Sequence, residues 1–153
     1  MRRIAAVLAL VLLAGCSKDT APVAATSTTA PQEAQVRIGD VVVHASVVQT
    51  SMLDASIARE YGLERSDRTA MLLVSARNPN GDAPPSPVDI SATVTPANGA
   101  PQPIALREVN VGGLVDHVGT IDIAPPETLK FEVRVRYGSA TSTLQFTRDF
   151  FPR

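Results

Sequence analysis

The sequence is poor in the residues that support several common kinds of site. It contains a single cysteine, so one chain can form neither an internal disulfide nor a zinc site of paired thiolates. Its 14 basic and 15 acidic side chains nearly balance and leave a formal net charge of −1. Such a chain lacks the positive field that holds nucleic-acid phosphates. We therefore expect no nucleic-acid partner.

Motifs that carry catalysis are missing as well. The chain has no Gly-x-Ser-x-Gly elbow, no Gly-x-Gly-x-x-Gly loop and no Gly-Lys-Ser/Thr motif. Its carboxylates are scattered singly, without an obvious pair for acid–base work. The two histidines, His44 and His117, are predicted to point into different environments, because His44 shares a strand parity with polar residues and His117 with apolar ones. We predict a non-enzymatic protein without a cofactor or a metal site.

The beginning of the chain is patterned as a leader. Met1-Arg2-Arg3 precedes an unbroken apolar run from Ile4 to Leu13, which is followed by Ala14-Gly15-Cys16. The run is shorter than the roughly 20 residues that a membrane-spanning helix needs, and its flanks are typical of a secretory signal peptide. The segment Leu13-Ala14-Gly15-Cys16 resembles the lipobox of bacterial lipoproteins, whose cysteine receives a diacylglyceryl group.

This resemblance implies a signal peptide over residues 1–15 and a lipid anchor on Cys16. Each buried methylene of an acyl chain contributes about 0.8 kcal/mol, so two or three chains together hold a protein on a membrane almost permanently. In lipoproteins of Gram-negative bacteria an aspartate after the cysteine favours the inner membrane, and Ser17 occupies that position here. The expected location is the periplasmic face of the outer membrane.

Composition divides the rest of the chain in two. Residues 16–35 are dominated by Ala, Ser, Thr and Pro, which cannot bury enough apolar surface to fold, and we interpret them as the lipidated cysteine and a disordered tether. As a flexible coil, this tether reaches roughly 25 Å. Residues 36–153 alternate β-branched and polar side chains between Pro and Gly clusters, and they are predicted to form one domain.

The periodicity of that domain favours strands. In the first run, Val41, Val43, Ala45 and Val47 share one parity, whereas residues 69–77 are apolar on both parities and suit a central strand. A short helix is predicted between these two, from Asp54 as N-cap to Gly62 as the residue that ends it. About seven strands, separated by turn residues, predict an all-β, immunoglobulin-like sandwich with one short helix after the first strand. The predicted strands cover residues 41–50, 69–77, 88–95, 103–109, 114–123, 130–137 and 141–150.

The domain also resembles a known family, the bacterial domain of unknown function 4426. The most specific part of the likeness is a Tyr-Gly-aliphatic-x-Arg-Ser pattern, carried by residues 61–66. The resemblance implies a secreted or lipid-anchored envelope protein with an immunoglobulin-like sandwich, and it implies no activity. The other matching segments are Gly39-Asp40, Ser51-Met52-Leu53, Ala58, Leu106-Arg107-Glu108-Val109 and the closing residues 146–151.

The densest cluster of charge lies on the short helix and the loop after it, over residues 59–68. One interpretation is a solvated face in which Tyr61 and Leu63 plug the sandwich and Arg65 ties down the loop. The other is a partner surface formed by Tyr61, Arg65 and Arg68, because the planar guanidinium of arginine pairs well with carboxylates. Loops on rigid sheets often carry function. The sequence is compatible with both interpretations.

These observations lead to one expected function and one alternative. We expect a monomeric lipoprotein whose sandwich binds another envelope protein or an envelope polymer, by analogy with other tethered sandwich domains. The alternative is a carrier of a small ligand, or an accessory subunit of an envelope enzyme. A carrier needs a sizeable apolar cavity, which the low aromatic content of 4% disfavours.

Overall fold

The computed structural model describes residues 33–153, which form two antiparallel sheets packed face to face. One sheet has five strands in the order β1-β2-β3-β7-β6, and the other has four in the order β5-β4-β8-β9. The strands are β1 Glu33–Ile38, β2 Val41–Gln49, β3 Thr69–Arg77, β4 Val88–Pro96, β5 Gln102–Ile104, β6 Arg107–Val111, β7 Leu114–Asp122, β8 Glu127–Tyr137 and β9 Ala140–Phe150. A 3-10 turn, Thr50–Met52, and one helix, α1 Ala55–Glu60, follow β2.

The core lies between the two sheets and follows from the alternation of side chains along each strand. On β2, Val41 and Val43 are fully buried, and on β8 Phe131, Val133 and Val135 are fully buried as well. Successive side chains point to opposite faces of a strand, so the apolar parity of each strand meets that of the facing sheet. Phe131 also stacks on Phe146 of β9, with ring centroids 5.3 Å apart.

The predicted all-β sandwich is confirmed, with two corrections to its details. The described chain has nine strands instead of about seven, and the helix follows the second strand instead of the first. β1, which starts at Glu33 and pairs with β2, accounts for the position of the helix and for one of the two added strands. Residues 33–35, which the composition assigns to the tether, are therefore part of this strand. Its half-buried side chains, Ala34 and Val36, pack at the edge of the core and give only a weak apolar pattern.

The region predicted as one strand over residues 103–109 is divided between the two sheets. β5 pairs with β4, whereas β6 pairs with β7 in the other sheet. The crossing passes directly over Gly119 of β7: a Cβ at Gly119 would lie 2.5 Å from Cγ2 of Ile104 and 3.0 Å from the carbonyl oxygen of Ala105. Only glycine allows this close approach, which brings the chain from one sheet to the other.

The strand predicted to be central, residues 69–77, is found with those bounds as β3 in the middle of the five-stranded sheet. Its inner side chains include Leu72 and Val74, which face the other sheet. Its outer side chains include Met71, which is 3% exposed. Because both faces of β3 are apolar, the sheet needs a second covering layer on its outer side.

That layer is supplied by α1 and the loop that follows it as far as Arg68, together called the helix-loop. Asp54 is the N-cap residue of α1, although its side chain makes no capping hydrogen bond. The backbone N–H of Leu63 donates to the carbonyl of Ala58 at 2.7 Å, and Gly62 adopts a φ of +63°. This left-handed conformation confirms the predicted role of Gly62 in ending the helix.

Candidate functional site

The candidate surface is built on a second apolar cluster, outside the main core. Tyr61, Met71 and Val118 are buried in it, so the residue that follows α1 packs directly on β3 and β7. Half-buried side chains from the 3-10 turn, the loop and the sheet surround these three. They are Val48, Leu53, Leu63, Leu73, Val109 and Val111.

A buried polar group fixes Tyr61 in this cluster. The hydroxyl of Tyr61 donates to Oδ2 of Asp116 at 3.1 Å, and Asp116 is only 5% exposed. The guanidinium of Arg77 pairs with the other carboxylate oxygen and also donates to the carbonyl of Val115 at 3.1 Å. The guanidinium of Arg107 donates to the carbonyl of Tyr61. The buried carboxylate is thus paired, as a buried charge must be.

The same environment changes the acidity of Tyr61. Burial of the phenol raises the pKa of Tyr61 above its ordinary value of 10.0, and the hydrogen bond to the Asp116 carboxylate raises it further. A phenolate at this position would lose its solvation and lie beside a negative charge. Tyr61 therefore acts as a neutral donor that anchors the helix-loop to β7.

The loop after Tyr61 is held by hydrogen bonds to the end of β2 and the 3-10 turn. The Arg65 guanidinium donates to the carbonyl of Ser51 at 2.8 Å. The backbone N–H of Ser66 donates to Oγ1 of Thr50 at 2.9 Å, and the side-chain amide of Gln49 donates to the carbonyl of Asp67 at 2.6 Å. These bonds give the loop one defined position on the sheet.

The structure separates the three residues predicted to form a partner surface. Arg65 and Arg68 are exposed, and within residues 33–153 neither has a carboxylate within 4.0 Å. Tyr61 is only 9% exposed, so the expectation that it contacts a partner does not fit its burial. The loop with the two arginines lies beside an open depression of about 620 Å³, which Arg65 lines together with Ala55 and Arg59 of α1.

Sequence reasoning missed the partners of Tyr61. Asp116 is separated from it by 55 positions, and no local pattern connects them. One signal was present: Asp116 shares a strand parity with the buried Val118, so an acid on that face needs a donor nearby. The role of Arg77 follows from the pairing of β3 with β7, which the sequence does not specify.

The two histidines occupy different faces of the five-stranded sheet, as their parity predicts. His44 lies opposite Ser75 and is exposed, whereas His117 lies opposite Val74 on the inner face. Nε2 of His117 is 3.7 Å from the carboxylate of Glu108. Across residues 33–153, no group of three or more His, Cys, Asp or Glu side chains is arranged to hold a metal ion. Cys16, the predicted lipidation site, lies outside the described residues.

Two further depressions lie on the outside of the sandwich. One of about 580 Å³ lies at the end of the four-stranded sheet, beside the 96–99 turn and residues 149–151. Another, of about 350 Å³, lies between the proline-rich segment 83–87 and the residues Val115 and His117. None of the helices in the part of the chain that the structure covers has the length and apolar character needed to span a membrane.

The structure is a two-sheet sandwich whose five-stranded sheet is covered on its outer face by the helix-loop. Sequence comparison identifies the family to which such a domain belongs. A model of the DUF4426 family, described as a domain of unknown function, matches residues 35–153. The chain therefore belongs to the DUF4426 family. No curated protein matches the sequence.

A solved structure of another family member agrees with this assignment. A DUF4426 family protein from Pseudomonas aeruginosa PAO1 is 27% identical, with a TM-score of 0.64 over 80% of this chain and 97% of that one. A copper-bound variant of FetP, from uropathogenic Escherichia coli strain F11, is 12% identical, with a TM-score of 0.53 over 78% of this chain and 95% of that one. The second likeness shows a shared fold alone.

Replacement of Tyr61 by phenylalanine tests the role of its hydroxyl. Tyr61→Phe removes a hydrogen bond to a charged acceptor, and we expect the free energy of unfolding to fall by about 1.5–3 kcal/mol. Because the folded pKa of Tyr61 is raised, the stability from its neutral form is present below pH 10 and is lost as the pH rises through the raised value. Urea unfolding at neutral and alkaline pH should show this loss in the wild type and a smaller loss in Tyr61→Phe. Equal stabilities and equal pH profiles would contradict the assigned role.

Proposed function

We propose that this chain is a lipid-anchored envelope protein whose sandwich is a non-enzymatic binding module for another protein or an envelope polymer. It is held by Cys16 on the periplasmic face of the outer membrane and acts as a monomer. The observation that carries the binding role is the pair of exposed arginines, Arg65 and Arg68, on a loop that the fold holds in one position.

The free charge of these two arginines supports recognition of an acidic partner. Three arginines of the described chain are paired with carboxylates, Arg77 with Asp116, Arg134 with Glu132 and Arg136 with Asp89, whereas Arg65 and Arg68, like Arg148 and Arg153, are not. Arg65 uses one of its nitrogens on the Ser51 carbonyl and keeps further donors for a ligand. A guanidinium held in place loses less side-chain entropy on binding than a mobile one. Carboxylate or phosphate groups of a partner fit such a surface.

The anchor is supported by the leader and by the length of chain between it and the domain. Leu13-Ala14-Gly15-Cys16 resembles a lipobox, and Ser17 is not the aspartate that favours the inner membrane. The first strand begins at Glu33, so a short tether separates the lipid from the fold. A module on such a tether is confined close to the membrane surface.

The alternative is a small-ligand carrier or an accessory subunit of an envelope enzyme, and the filled interior weighs against the carrier. Phe131 and Leu72 are fully buried between the sheets, where a carrier would hold its ligand. A small ligand would have to use an outer groove, and the most apolar choice is the depression of about 350 Å³ beside segment 83–87. The rigid arginine loop favours the binding module.

The anchor predicts a specific effect of changing Cys16. Cys16→Ala removes the thiol that accepts the diacylglyceryl group, so the full chain should lose both acylation and normal processing. Metabolic labelling with a fatty-acid analogue, read on the purified chain, measures this directly. Labelling that marks the wild type and Cys16→Ala equally would contradict the anchor.

The binding role predicts that reversing the charge of the loop removes partners. The double variant Arg65→Glu, Arg68→Glu should keep most of its thermal stability, because both side chains are exposed and the bonds from Gln49 and to Thr50 still hold the loop when the Arg65 bond is lost. It should lose partners in crosslinking of intact cells read by mass spectrometry. The matched control, Arg37→Glu with Lys130→Glu, makes the same change of charge at exposed positions elsewhere and should keep them. Unchanged crosslinks in a folded loop variant would eliminate this surface, and collapse of the fold would assign Arg65 to structure.

A further inference from the structure

The end of the sandwich from which the tether leaves has an unusual surface. β1 runs antiparallel to β2, and Glu33 pairs with Ser46 near the end of β2, so the chain before Glu33 joins the domain on the side where Thr50–Met52 follows β2. The last strand, β9, ends on the same side. The guanidinium of Arg153, just after β9, donates to the sulfur of Met52 at 3.3 Å, which places the two segments next to each other. The tether, the 3-10 turn and the end of β9 are therefore neighbours.

Two exposed apolar side chains lie at this end. Met52 is 48% exposed and Phe151 is 67% exposed, and both border a small cleft that Arg148 and Arg153 also line. The other large apolar side chains exposed on the described chain, Ile57 and Val115, lie elsewhere, on α1 and at the start of β7. We call the four residues Met52, Arg148, Phe151 and Arg153 the tether-end patch.

The charge of the tether-end patch is uncompensated within the domain. Neither Arg148 nor Arg153 has a carboxylate within 4.0 Å among residues 33–153, and Nε of Arg148 is buried without a hydrogen-bond partner there. The neighbouring acid, Asp149, also borders this cleft, and it is engaged elsewhere. Its carboxylate accepts a hydrogen bond from Thr128 at 2.6 Å.

We propose that the tether-end patch docks on the surface of a phospholipid bilayer. Apolar side chains that enter the headgroup region, next to arginines that pair with lipid phosphates, are the usual elements of such a contact. The patch offers Phe151 and Met52 for the first role, and Arg148 and Arg153 for the second. The loop with Arg65 and Arg68 lies beside the patch, because Arg65 bonds to Ser51 next to Met52, so a partner bound there would also lie close to the membrane.

Because the lipid anchor already holds the chain on the membrane, even a weak contact of this size is enough to dock the domain. Only a short stretch of sequence lies between Cys16 and Glu33, so an anchored domain stays near the bilayer and docking is an intramolecular step at high effective concentration. A second copy of the chain fits the patch less well. A twofold contact would bring the arginines of one patch against those of the other, and the acid nearest to them, Asp149, already accepts a hydrogen bond from Thr128.

This inference rests on the anchor of the proposed function, so the experiment measures anchoring and docking separately. Full-length lipidated protein is reconstituted in vesicles of phosphatidylethanolamine and phosphatidylglycerol, and co-flotation measures anchoring. A photoreactive phosphatidylethanolamine, with its reactive group just below the headgroup, then labels residues that enter the interface. Mass spectrometry maps these residues.

We expect labelling to concentrate on Met52 and residues 148–153, at least about five-fold above the Gly138–Ser139 turn at the opposite end. The variant Met52→Asp, Phe151→Asp should lose that excess while it still co-floats, and Arg148→Gln with Arg153→Gln should reduce it most in vesicles that contain phosphatidylglycerol. Val115→Asp is the matched control, since it changes an exposed apolar residue at the other end of the sandwich and should leave the labelling unchanged.

Each outcome decides the inference. Protein that co-floats but is labelled evenly over both ends, or labelled equally after Met52→Asp, Phe151→Asp, would overturn docking and leave the anchor intact. Protein that fails to co-float would overturn the anchor and the inference with it. If circular dichroism shows that the aspartate variant is unfolded, the labelling map of the wild type still decides whether the patch docks on the bilayer. A wild-type patch that stays unlabelled while the protein co-floats would also overturn docking, and it would leave a second copy or another protein as the occupant.

Discussion

The position of the candidate site depends on the need to cover both faces of β3. Side chains on one face, such as Leu72, pack between the sheets, and side chains on the other, such as Met71, would be left in water without a second layer. The helix-loop after β2 provides this layer through Tyr61, whose hydroxyl finds a buried acceptor in Asp116. Burial of apolar area drives the contact, and the hydrogen bond selects one position for it.

This layer determines which part of the loop faces outward. Because Tyr61 and Leu63 point to the sheet, the residues that follow turn back along the end of β2, and Arg65 and Arg68 are left on the outside. The loop ends where β3 begins, on the side of the sandwich where β1 starts. The proposed binding arginines, the start of β1 and the tether-end patch thus lie at one end of the domain.

The sequence predicts the elements of this fold better than their partners. β3 is recognisable because residues 69–77 are apolar on both parities, and the end of α1 because Gly62 follows helix-forming residues. β1 is too weakly apolar to stand out, and the division of residues 103–109 between two sheets depends on the close approach to Gly119. The burial of Tyr61 depends on Asp116, far away in sequence. The alternation of apolar and polar residues predicts each strand, whereas the pairing between strands that are distant in sequence determines which side chains are in contact.

The central claim is that the helix-loop belongs to the folded unit, and native-state hydrogen exchange of the full chain tests it most directly. The amides of Leu63 and Ser66 donate to Ala58 and Thr50, so they should exchange as slowly as amides of β2 and far more slowly than the Gly138–Ser139 turn. In Tyr61→Phe, the exchange of these loop amides should accelerate more than that of β2. Exchange of Leu63 and Ser66 at the rate of the turn would contradict the account.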